Sequence, residues 1–77
     1  MKNKLVSLLQ ELLIETDEIN KTNIKVSIML NTSFLAKPST FGELSNLMKH
    51  VNAYMESSTD ANKVNIEKVI DRINEKF

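Results

Sequence analysis

The sequence predicts an all-α fold: a small antiparallel bundle of three to four helices, with residues 1–77 as a single domain. Three observations lead there. Apolar residues recur at helical spacing in three separate segments. The composition, 42% hydrophobic and 26% charged, matches a globular chain and not a disordered one. The break Lys37-Pro38-Ser39-Thr40 divides the chain near its middle.

At 100° per residue, Leu5, Leu8, Leu9, Leu12, Leu13 and Ile19 share one stripe, with Val6 at its edge and Glu11, Glu15 and Glu18 opposite. The pattern predicts a first helix over about residues 3 to 21. Ile14 falls outside the stripe and is expected to be exposed.

Residues 24–36 are ambiguous between helix and strand. Ile24, Val26, Ile28 and Leu30 alternate as a strand would, while Ile24, Ile28 and Leu35 share a helical face. A strand would need a partner. The one available, Ser33 to Ala36, lies across an Asn31-Thr32 turn without the glycine that two-residue hairpins favour. A buried helix is the preferred reading.

Pro38 disfavours helix at the residue before it, and Thr40 with Glu43 has capping-box spacing, so a new helix is expected to start there. Phe41, Leu44, Leu47, Met48, Val51, Tyr54 and Met55 form the strongest amphipathic stripe, to about Glu56. Ser57-Ser58-Thr59-Asp60 supplies N-cap residues for a last helix, whose stripe is Ile66, Val69, Ile70, Ile73 and Phe77. Its other side carries charges of both signs, expected to be solvated.

A core this small leaves a net stability of roughly 3–5 kcal/mol, and no cysteine is present to cross-link it. A partner or a homo-oligomer is the remaining stabiliser. Ten basic residues balance ten acidic ones, so no long-range field favours a phosphate backbone, and no nucleic-acid partner is expected. Gln10 and Glu11 interrupt the first apolar run, which argues against a signal peptide, and no stretch reaches membrane-spanning length. A cytoplasmic location is the expectation, and the sequons at Asn20 and Asn31 matter only on a secretory route.

Residues for chemistry are sparse. Nucleophilic catalysis needs a base, and His50, the single histidine, sits at the margin of the third stripe, where a boundary residue is expected. Glu15, Asp17 and Glu18 point in different directions on a helix and read as a charged helix end, not as a metal site. Asp60, Asn62 and Asp71 echo a calcium loop, but Asn65 and Val64 stand where glycine and an oxygen ligand belong. One glycine, Gly42, rules out a glycine-rich phosphate cradle. Phe34, Phe41, Tyr54 and Phe77 lie mostly on or near core stripes, not in a base-stacking platform. Hence no catalytic residue, cofactor or metal is expected.

What remains is binding. The expected function is a small non-catalytic protein that acts by binding another protein, with a self-assembling structural subunit as the alternative. Met29, Met48 and Met55 suit either an adaptable surface or a small core, and the core is preferred. The best partner-binding candidates are Arg72, Lys76 and Phe77, because the end of a bundle is accessible.

In composition and apolar spacing the chain resembles bacteriocin immunity proteins, which implies a helical bundle that intercepts a toxin or the toxin's receptor complex. Lys37-Pro38-Ser39, Leu44, Tyr54 and the terminal Phe77 resemble the second half of type III secretion needle subunits, which implies a polymerising helical hairpin. The two differ at Ser58. A needle-like rod needs the last two helices fused, whereas a bundle breaks there.

Overall fold

In the computed structural model, which describes residues 2–77, four helices are joined by short turns: α1 (Lys2–Ile14), α2 (Glu18–Leu35), α3 (Phe41–Glu56) and α4 (Asp60–Lys76). No strand occurs among the described residues, so the ambiguous segment 24–36 is helical apart from its last residue.

The predicted first helix, 3 to 21, is two helices. The chain turns at residues 15–17, where Asp17 is extended and its carboxylate accepts the Ile19 and Asn20 N–H groups at 2.9 and 3.0 Å. Glu15 adds to the turn by accepting from the Thr16 and Asp17 N–H groups. A carboxylate that satisfies the first free amides of a new helix stabilises the break, and the restart changes the phase of every later residue. Ile19, expected beside Leu12 in the core, is consequently 73% exposed.

Thr40 precedes α3, but the capping box does not form. Thr40 is in the helical region and makes no side-chain cap bond. Its hydroxyl instead ties the preceding turn, accepting from the Lys37 N–H at 3.0 Å and donating to the Leu35 carbonyl at 3.1 Å. Glu43 is committed elsewhere, to Arg72. The chain breaks again at 57–59, and Thr59 caps α4 by accepting from the Asn62 N–H at 3.2 Å.

Short turns make consecutive helices antiparallel neighbours. α1 packs on α2 and α4, and α3 packs on α4 and α2, so the four surround one core without contact across the diagonals. Leu5, Leu9 and Leu12 of α1, Ile28 of α2, Leu47 and Val51 of α3 and Ile66 of α4 are its most enclosed side chains. The stripes expected for α3 and α4 face it, with Tyr54 buried and Met48, Met55 and Phe77 half-buried against it. Ile14 is exposed, as expected, and His50 is half-buried.

An apolar helix face and the cleft beside it

α2 departs furthest from the expectation of a buried helix. Its inward face is narrow: Ile28 and Thr32 are buried, and Ile24 and Leu35 are half-buried. The second buried polar residue of the chain, Lys21, belongs to the same face and is 8% exposed. Its ammonium is held by Ser58 Oγ at 3.3 Å and Glu18 Oε1 at 3.6 Å, and it lies 5.7 Å from the centre of the Tyr54 ring. That arrangement fastens the start of α2 to the end of α3.

The opposite face is apolar and open to solvent. By helical phase Ile19, Val26 and Leu30 lie about 180° from Ile28, with Met29 and Phe34 flanking them, and all five are exposed. Leu30 is 57% and Phe34 74% exposed. Thr22, Asn23 and Ser33 fill the spaces between, so this face carries no charge. Phe41, at the start of α3, is also 63% exposed. Two of the four aromatic residues expected near core stripes are thus on the surface: α2 restarts out of phase with α1, and the turn at 36–40 leaves Phe41 at the bundle's edge.

An open cleft of about 560 Å³ lies between α2 and α3, lined by the apolar Ala36, Phe41, Leu44 and Met48 and by Thr32, Ser33, Ser45, Lys49 and Asn52. Lys49 is its sole charged lining residue.

The residues expected to bind a partner sit elsewhere. Arg72 lies across α3 and α4, its Nε donating to Glu43 Oε2 at 2.9 Å and its Nη2 donating to Oε1. Hydrogen bonding from Arg72, aided by its charge and that of Lys76, holds the Glu43 carboxyl below its ordinary range. Lys76 is exposed, and Phe77 is half-buried against the core beside Arg72 and Leu44. The structure therefore gathers Arg72 and Phe77 at one end of the bundle, apart from the α2 face.

Glu15 and Asp17 hold backbone N–H groups, and Glu18 approaches Lys21. No group of three or more His, Cys, Asp or Glu among the described residues could hold a metal ion. No helix among them is long and apolar enough to cross a membrane.

Sequence reasoning missed the α2 face because its alternation was treated as a choice between strand and buried helix. One signal could have found it: Ile19, Val26 and Leu30 share a helical face opposite Ile28, which calls for two apolar surroundings on one helix. No protein-family model matches the chain, and no curated protein or solved structure is significantly similar to it.

Proposed function

We propose that this chain is a non-catalytic interaction module that acts by binding another protein, as an inhibitor or an immunity-type protein does. The observation that carries the reading is the exposed apolar face of α2. In a chain with so small a core, five large apolar side chains left on one helix face are a substantial fraction of the available hydrophobic stabilisation. Contiguous apolar surface of this kind marks interaction sites on small proteins.

The break at 57–59 supports a bundle over the needle-like alternative, which needs α3 and α4 continuous. Thr59 and Ser58 both stabilise that break, through the Asn62 N–H and the Tyr54 carbonyl.

The reading is tested by placing a photo-crosslinking amino acid at Phe34, and separately at the exposed Glu67 of α4, in cells of the source organism. A discrete heavier adduct from position 34 and none from position 67 is the expected result. Equal labelling from both, or none, would remove the reading. An adduct of twice the chain mass would transfer support to the self-assembling alternative.

A further inference from the structure

We infer that residues 23–31 of α2 are a conformational switch: helical in the bundle, they convert to a β-strand when α2 leaves the core, and the strand pairs antiparallel with the same segment of a second copy. The inference goes beyond the protein-binding reading above and stands independently of it.

The helix cannot bury what the segment carries. Ile24, Val26, Ile28 and Leu30 recur at every second residue. In α2 that spacing spreads them around the helix, so Ile28 is fully buried and Ile24 half-buried, while Val26 is 49% and Leu30 57% exposed. A strand places all four on one side, because its side chains alternate with a period of two. The extended form is therefore the one that can bury them together, once something covers that side.

Local preferences lean the same way. Thr22, Ile24, Val26, Ile28 and Thr32 are β-branched, which weakens a helix and suits a strand. The hydroxyls of Thr22, Thr32 and Ser33 donate to carbonyls three or four residues back at 2.7–3.0 Å, a pattern that slightly destabilises the helix making it. Residues 18–37 hold no proline or glycine, and Lys25 is the one charged residue within 22–36, which is the composition of a self-pairing segment. Beside α3 the open cleft leaves part of α2 without packing partners, and elements with few buried apolar contacts are the first to detach.

A strand needs a partner, and no strand occurs among the described residues. A second copy of the segment supplies one. In an antiparallel pair centred on Ser27, Ile24 faces Leu30, Val26 faces Ile28 and Asn23 faces Asn31, with every apolar pair on one side of the sheet. Lys25 then faces Met29. A parallel, in-register pair would instead set Lys25 beside Lys25, and neighbouring like charges destabilise a sheet. The charge selects the antiparallel arrangement.

The test is incubation of the full chain at the midpoint of its urea transition, with assembly followed by thioflavin T fluorescence and infrared spectroscopy. Fibres with the split amide I band of antiparallel strands are expected, with slow hydrogen exchange concentrated in residues 23–31. Val26→Lys, at an exposed position of the bundle, should leave the melt unchanged and lengthen the lag roughly tenfold or more, because it puts a charge in the middle of the apolar side. Leu30→Lys, exposed in the bundle and on the same side of the strand, should act alike and serves if Val26→Lys alters the melt. Ile14→Lys makes the equivalent change at an exposed site outside the segment and should leave the lag within about twofold. Each variant is compared at its own midpoint, so differences in stability do not enter.

Reversible unfolding without assembly, protection lying outside residues 23–31, a parallel amide I band, or a lag indifferent to both Val26→Lys and Leu30→Lys would each overturn the inference. Equal slowing by Ile14→Lys would do the same, because net charge and not the segment would then control assembly.

Discussion

Lys21 of α2 places its ammonium 5.7 Å from the centre of the Tyr54 ring on α3 while hydrogen-bonding to Ser58 just beyond the end of that helix. A buried cation is tolerable there because the ring face, a hydroxyl and the Glu18 carboxylate all receive it. Ser58 Oγ donates in turn to the Tyr54 carbonyl at 3.0 Å, so the contact also braces the break between α3 and α4.

Replacing Lys21 tests how that site is stabilised. Lys21→Met keeps the packing stem and removes the charge, and should cost less than about 1 kcal/mol, because Ser58 retains its bond to Tyr54. Lys21→Glu puts an anion against the ring and should cost about 2–4 kcal/mol. Urea denaturation of the two variants gives the comparison, and equal losses would show that charge is irrelevant at this position.

Leu47 is 1% exposed at the centre of the α3 stripe. Leu47→Asp buries a carboxylate with no partner, a penalty on the scale of the entire stability expected for a chain this small, roughly 3–5 kcal/mol. The variant should be unfolded by circular dichroism at room temperature. A cooperative melt equal to the parent's would contradict the packing of α3.

The Glu43–Arg72 tie is pH-dependent with a defined sign. Because the folded carboxyl titrates below its unfolded value, its contribution is present above the unfolded pKa and disappears as pH falls through the folded one. Glu43→Gln should therefore melt below the parent at neutral pH and converge with it in acid, below the ordinary carboxylate range. Since both groups are partly exposed, the gap should also narrow in high salt. A gap independent of pH would mean that Glu43 contributes through packing alone.

Asp17→Ala removes the cap that starts α2 and should cost about 0.5–2 kcal/mol by urea denaturation, the usual range for such a residue. Asp17→Asn, which can still accept, should recover most of it. Failure of the asparagine to do so would point to the charge at the helix N-terminus and not to the hydrogen bond.

Phe34→Ser and Leu30→Ser, on the open face of α2, should each change stability by no more than about 0.5 kcal/mol and reduce binding of a hydrophobic dye. A loss comparable to that of a core leucine would show that the face is covered within the folded molecule.

The helical class and the core stripes of α3 and α4 were legible in the sequence, because a long stripe at helical period has one way to bury itself. Leu44, Leu47, Val51, Ile66, Val69 and Ile73 needed no tertiary information to be placed. Asp17 was harder. It carries an N-cap signature, but the apolar period runs on through Ile19, and a local hydrogen bond had to be weighed against a pattern that looked unbroken. Tertiary packing decided that competition. With α1 ended at Ile14, it packs against both α2 and α4. The break at Glu15 to Asp17 moves the boundary between the first two helices back from residues 22–23 and leaves Ile19, Val26, Leu30 and Phe34 outward. The sequence by itself determined which residues are apolar and how they are spaced. Only the tertiary structure decided which of two apolar faces on α2 meets the core, because one helix in a four-helix ring has room to bury just one of them.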